Sequence, residues 1–277
     1  MNCIFERFSL IMGKKKEKIG RVIAKIQGPP LQEIEAKEQK TDHFAKGLCF
    51  YKLFWIFFIG AFLGVVVELL FCLATQFHLE NRSGLIYGPF NPVYGFGAVA
   101  LTLGLYWLRY KRDLYILIGG TILGGAIEYI CSWVQEQIFG TVSWDYSKLP
   151  FNINGRICLL YSIFWGILAI LWIKFLYPRF CSLILKIPNK FTRPLSWILA
   201  VFMVFNMFMS SVAVLRWAER LEDIPATTSI GRYMDKHYPN SRMEWYYPNM
   251  RFMENGKISE DKSNNKGVDP TTGQAVK

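Results

Sequence analysis

Between residues 53 and 216 the chain repeatedly runs for about 20 residues without a charge, the length an α-helix needs to cross a bilayer. Ser83 to Leu108 holds no charged residue, nor does Pro194 to Leu215. Leu53 to Val67 is uncharged up to Glu68. Ile157 to Ile173 is uncharged up to Lys174, which is long enough to snorkel. A further stretch, near 114–134, is interrupted only by Glu128. The chain therefore reads as an all-α polytopic membrane protein with about five transmembrane helices. They are placed near 53–77, 90–108, 114–134, 157–177 and 195–216.

The charges outside these stretches orient them. Residues 1–52 hold 11 Lys/Arg and 6 Asp/Glu, residues 53–216 hold 12 and 6, and residues 217–277 hold 9 and 9. The net charge of +11 thus sits in the first 216 residues. Charged types are 19% of the chain, against about 25% in a soluble globule. That balance excludes a disordered chain, a disulfide-stapled secreted module and an ordinary nucleic-acid binder. The short turn Arg109-Tyr110-Lys111-Arg112-Asp113 is basic. So is the connector carrying Arg179, Lys186, Lys190 and Arg193. Positive-inside then puts the N-terminus and these two connectors in the cytoplasm, with loops 1–2 and 3–4 facing outward. Five spans leave the tail outside, and a re-entrant or peripheral fifth segment would move it to the cytoplasm.

The flanks divide simply. Residues 1–50 read as a basic N-terminal arm. The opening MNCIFERFSLIM, broken by Glu6 and Arg7, does not read as a signal peptide. Ile19, Val22, Ile23 and Ile26 fall at helical spacing after the Lys14–Lys18 run, as in a helix lying on an anionic leaflet or a short solvated one. Residues 51–216 are the transmembrane domain, 217–254 a small C-terminal cap, and 255–277 a disordered tail. In the cap, Asp235, His237, Tyr238, Arg242 and Glu244 could hold a metal or partner, or balance one another at its surface. The six cysteines form no CxxC unit and read as small buried hydrophobes. The three histidines are too dispersed for a zinc site. No metal and no cofactor is expected.

Segments 1 and 3 echo each other. Gly60, Gly64 and Glu68 match Gly120, Gly124 and Glu128 at a period of 60 residues. This suggests two duplicated helix-hairpin units plus a fifth helix, in parallel orientation. Glycines four residues apart let neighbouring helices approach closely. Glu68 and Glu128 each lie about 22–24 Å into a span that starts in the cytoplasm. A carboxylate at a span centre costs roughly 2.5–3.5 kcal/mol on insertion scales, so each needs a partner or a proton. Arg82 and Arg156 lie at suitable depth, for pairing within each unit or crosswise. Two readings stand: ion pairs that fix helix packing, or a polar cleft opening outward for ion, proton or headgroup recognition. The candidate cleft or substrate-binding residues are Glu68, Arg82, Asn91, Tyr94, Glu128, Asp145, Asn152, Asn154 and Arg156. Trp133, Trp144, Tyr87, Tyr94 and Tyr146 also suit an interfacial aromatic belt.

Several motifs in fixed order carry a family resemblance. They are Asn81-Arg82-Ser83-Gly84, Gly88-Pro89-Phe90, Tyr94-Gly95-Phe96-Gly97, Glu128-Tyr129, Trp144-Asp145-Tyr146-Ser147 and Asn154-Gly155-Arg156-Ile157-Cys158. Over roughly 50–253 the chain resembles the CmpB-like ABC-transporter permease family, type IV, whose members are multi-span bacterial membrane proteins. The resemblance implies a transport permease subunit of the plasma membrane. It assigns no substrate and no catalytic residue. The chain has no G-x-x-x-x-G-K-[ST], so an ATPase subunit must come in trans. Five spans are few for a permease, so a homodimer among membrane lipids is expected. Two other functions remain open. One is an intramembrane enzyme or binding protein on a lipid or isoprenoid-linked phosphate, with carboxylates for acid–base chemistry and arginines for the phosphate. The other is a non-catalytic membrane scaffold. The orientation has its own test. A cysteine introduced at Ser263 reacts with an impermeant thiol reagent added to intact cells, and protection there would place the tail in the cytoplasm.

Overall fold

The structure is a computed structural model that describes residues 30–77, 80–254 and 257–258. The basic run and the amphipathic segment near the N-terminus lie outside the described residues. So does the tail from 255, apart from Lys257–Ile258.

A short helix, α1 (Leu31–Lys40), precedes α2 (Phe50–Gln76). The next helix, α3 (Pro92–Leu105), ends in a 3-10 turn at Tyr106–Leu108. Then comes α4 (Asp113–Phe139). α5 (Leu159–Leu171) continues through a π turn at Trp172–Leu176 into α6 (Tyr177–Ile184), and α7 (Asn189–Leu221) follows. Phe50–Thr75, Asp113–Phe139, Leu159–Ile184 and Asn189–Leu221 are each long and apolar enough to cross a membrane. The protein is therefore all-α and polytopic, as the uncharged runs require.

The second expected segment departs from the others. Its apolar helix is only Pro92–Leu108. Pro92 opens it, and the Asn91 side chain caps it by accepting from the Val93 N–H at 3.1 Å. The stretch before it folds back along α2, so that the Asn91 N–H donates to the Ala61 carbonyl at 3.0 Å, near the middle of α2. Irregular backbone at this level needs partners within the protein, because hydrocarbon supplies none. α7 provides them. The Tyr87 N–H donates to Asn206 Oδ1 at 3.1 Å, and Asn206 Nδ2 donates back to the Tyr87 carbonyl at 2.7 Å. The Ile86 N–H donates to Ser210 Oγ at 3.0 Å. Leu85 packs with Phe57, Ala61 and Met203, which wedges the fold-back between α2 and α7. Gly88 takes φ +81°, a turn that suits glycine.

The two ends of the bundle are closed differently. At one end α1 lies across the helix termini. Its Glu38 forms a buried ion pair with Lys52 at the start of α2. Its Glu35 accepts from the hydroxyls of Tyr106 and Tyr110 and from Arg109 Nε. Burial works against charge on Glu35, but Tyr110, Tyr106 and Arg109 together hold its carboxyl below the ordinary value. This latch is complete above the ordinary carboxylate range and weakens as pH falls through the lowered pKa.

At the other end, α8 (Ser229–His237) and α9 (Asn240–Tyr246) fold back over the end of α7. Met234, Tyr238 and Met243 bury against Ala213, Val214 and Trp217, together with Ile86 of the fold-back. Buried Arg216 clamps Asp235 through Nε at 2.8 Å and Nη2 at 3.0 Å, and Arg220 adds a third bond at 2.8 Å. A strand, β1 (Thr141–Val142), just beyond α4 pairs antiparallel with β2 (Arg251–Glu254), so the cap is joined to α4 as well. The fold-back gives the first measurement. Asn206→Leu leaves both Tyr87 backbone groups without a partner. It should destabilise the protein by about 1–3 kcal/mol per orphaned group, read as a lower thermal midpoint in detergent. An unchanged midpoint would mean that another group supports this backbone.

Candidate functional site

Glu68 lies on α2 where the fold-back and α3 meet it. The Tyr94 hydroxyl, one turn into α3, donates to its carboxylate. Arg82 Nη1 lies 3.6 Å from the same carboxylate, while Arg82 Nη2 bonds Glu80 at 2.9 Å. The Arg82 side chain is 14% exposed and that of Glu68 28%, so the group is sheltered but not sealed. Asn91 joins it from behind, its Nδ2 reaching the Arg82 carbonyl at 3.4 Å. Arg82 Nε is buried with no hydrogen-bond partner among the described residues.

The Tyr94 ring reaches Glu68 because of Gly64. A Cβ on Gly64 would fall inside the space that ring occupies. One turn earlier on α2, a Cβ on Gly60 would meet Ala98 Cβ at 3.2 Å and Gly95 Cα at 3.6 Å. The arrangement is repeated on the second helix pair. The Trp165 ring of α5 fills the space beside Gly124, and its Nε1 donates to Glu128 at 3.1 Å. Gly120 faces Ala169 and Gly166. Tyr94-Gly95 with Ala98 therefore corresponds to Trp165-Gly166 with Ala169. In each pair a bare glycine backbone admits an aromatic ring, which gives a hydrogen to the glutamate four residues on.

The charges around the two glutamates differ. Arg156 bonds Glu136, and its Nη1 lies 3.2 Å from Ser132 Oγ. Glu128 instead accepts from the Tyr146 hydroxyl at 2.9 Å in addition to Trp165. Of the expected residues, Glu68, Arg82, Asn91 and Tyr94 thus form one group and Glu128 a second. Asp145, Asn152, Asn154 and Arg156 lie in the loop that supplies Tyr146. There Asp145 accepts from the Ser147 N–H at 2.9 Å, and Asn152 Nδ2 donates to the Leu149 carbonyl at 2.8 Å. Asn154 Nδ2 donates to the Tyr129 hydroxyl at 2.9 Å. In the cap, Asp235 serves the two arginines. No group of three or more His, Cys, Asp or Glu among the described residues is placed to hold a metal. Sequence reading missed Trp165, Asn206 and Ser210. The Trp165 echo of Tyr94 was the available signal for the first, and a polar Asn in an apolar span for the second.

Fold and site together define a multi-pass membrane protein built on two similar helix pairs, each with a carboxylate facing its partner helix. The chain belongs to the family described as "Putative ABC-transporter type IV", whose model matches residues 55–211. The matched region takes in both glutamates, the fold-back and its α7 partners, and leaves out α1 and the cap. No curated protein and no solved structure matches the chain.

The glycine notches are open to test. Gly64→Ala and Gly124→Ala each force an aromatic ring away from its glutamate, at about 1–3 kcal/mol of overpacking. Gly97→Ala is the control, because its added methyl would come no closer than 3.7 Å to Trp165. The first two should lower the thermal midpoint and the control should not; equal effects at all three sites would remove the special role of the notches.

Proposed function

We propose that the chain is a transport permease subunit of the plasma membrane, with its substrate site at Glu68, Arg82, Asn91 and Tyr94. The observation that carries this reading is the half-length helix α3, which begins near the middle of α2 beside a charged group. Transporters with internal repeats place their sites where a broken helix exposes backbone and polar side chains at mid-depth. Here the start of α3, the carboxylate of Glu68 and the guanidinium of Arg82 converge from three segments. Arg82 Nε, buried and without a partner among the described residues, supports a substrate with an acceptor oxygen, since a buried donor is costly to leave unmatched.

The rest of the reading follows from charge and size. The basic turn at Arg109–Arg112 and the connector before α7 face the cytoplasm, with α1 on the same side. The fold-back, the loop carrying Tyr146 and the cap face outward. With no phosphate-binding loop in the chain, ATP hydrolysis belongs to a separate subunit. Five helices, one of them short, support a homodimer surrounded by membrane lipids.

The test is purification with native lipids, followed by mass spectrometry of bound proteins and an ATP-hydrolysis assay. An ATPase should co-purify, and native extract should stimulate its activity. Glu68→Gln and Arg82→Gln should each raise the extract concentration needed for half-stimulation by about 10- to 100-fold, the loss of one charge-assisted bond. A cysteine at Ser83 should react with a small charged thiol reagent from outside. Absence of any transport component under all conditions, with Ser83 unreactive, would overturn the reading.

A further inference from the structure

Nearly every sheltered carboxylate in this protein has a cation beside it. Over residues 30–77 and 80–252, Glu35, Glu38, Glu68, Glu80, Glu136 and Asp235 are partly or fully buried, and each is paired with Lys or Arg. The unpaired ones, Glu33, Asp42, Asp145, Glu222, Asp223 and Glu244, are all exposed. Glu128 alone is both sheltered and without a basic partner among those residues. It lies inside a helix long and apolar enough to cross a membrane. Among the described residues its surroundings hold no compensating charge. Cys131 follows one turn on along α4, and α5 offers the Trp165 indole. The outer loop offers Tyr146, whose ring stacks on Tyr161 of α5 at 4.8 Å. α3 brings Gly97 to this indole. Arg156 is committed to Glu136 two turns further along α4.

We infer that Glu128 is a proton-binding site that exchanges with the outer side through Tyr146. The two donors divide the work. An indole N–H can only donate, so Trp165 holds Oε2 whether the carboxyl is charged or neutral. A phenol can donate or accept, so the bond between Oε1 and Tyr146 can reverse. With Glu128 ionised, Tyr146 donates to it, as seen at 2.9 Å. When water on the outer side delivers a proton, the new carboxyl O–H donates to the Tyr146 oxygen, and the phenol hydrogen turns outward. Return of the proton to water restores the first state. No other bond to the carboxyl is lost in either direction. The equivalent carboxylate, Glu68, lies beside Arg82 and so has a basic partner. Intramembrane carboxylates of this kind serve as proton relays in transporters. The inference extends the transport reading by naming a coupling ion, but proton binding at Glu128 does not require that reading.

The experiment is infrared difference spectroscopy on the full chain in lipid nanodiscs, between mildly alkaline and mildly acidic buffer. A carboxylic C=O band should appear on acidification, shift in deuterium oxide, and be absent in Glu128→Gln. Tyr146→Phe keeps the glutamate but removes the reversible partner, and should move the band to higher frequency. This second variant decides the matter should Glu128→Gln fail to fold by circular dichroism. The absence of any titrating C=O band would overturn the inference. So would a band that survives in Glu128→Gln, or one that stays in place in Tyr146→Phe. The measurement uses neither substrate nor ATPase, so its failure leaves the Glu68 site standing, and failure of the transport reading leaves this result standing.

Discussion

The architecture depends on bare helix backbone at two places. Gly64 and Gly124 present no side chain to the neighbouring helix, so Tyr94 and Trp165 can lie directly on α2 and α4. In lipid there is little hydrophobic drive between helices, and close packing with interhelical hydrogen bonds has to supply the attraction. Both are supplied together here. The aromatic ring provides packing area, and its polar hydrogen meets the glutamate one turn along, on the same helix face. A carboxylate that would be costly alone is turned into an anchor for the next helix.

The same close approach explains the half-helix. α3 packs on the glycine face of α2 near its middle, and the preceding residues are left to cross the other half of the bundle as irregular backbone. That path is tenable only because α7 brings Asn206, fully buried, and Ser210 to the level of Ile86 and Tyr87. The cap then covers the fold-back, with the Tyr247 hydroxyl donating to the Gly84 carbonyl at 3.3 Å. Glu68, Arg82 and Tyr94 meet as a consequence of this packing.

What could be read beforehand follows from which physical signals a linear chain preserves. Length and lack of charge mark the long helices, and a glutamate in an apolar run is conspicuous. Absence of charge alone could not mark the break in the second segment, because Ser83 to Leu108 is uncharged throughout, and it is Asn91-Pro92 that shows where the helix opens. The repeat was visible only in part. Glu68 to Tyr94 is 26 residues and Glu128 to Trp165 is 37, so a single period aligns the first helices and misaligns the second. Asn206 does not interrupt an apolar window, and its value lies in which backbone it meets. Arg156 had the right depth for Glu128, yet α4 also carries Glu136 two turns further along, within reach of the same arginine.

That last difference bears on how two similar halves come to do different things. With Tyr94 or Trp165 already bonded, each glutamate has one further side to satisfy. In the first pair a guanidinium occupies it, and the carboxylate has a fixed countercharge. In the second a phenol occupies it, which can accept as readily as donate. A guanidinium cannot lose its proton at any ordinary pH, so the first centre keeps a positive charge beside its carboxylate. The second can change its charge without losing its packing. Equivalent backbone positions thus carry an ion pair on one side of α3 and a reversible hydrogen bond on the other. α3 touches both, through Tyr94 and through the Trp165 indole beside Gly97.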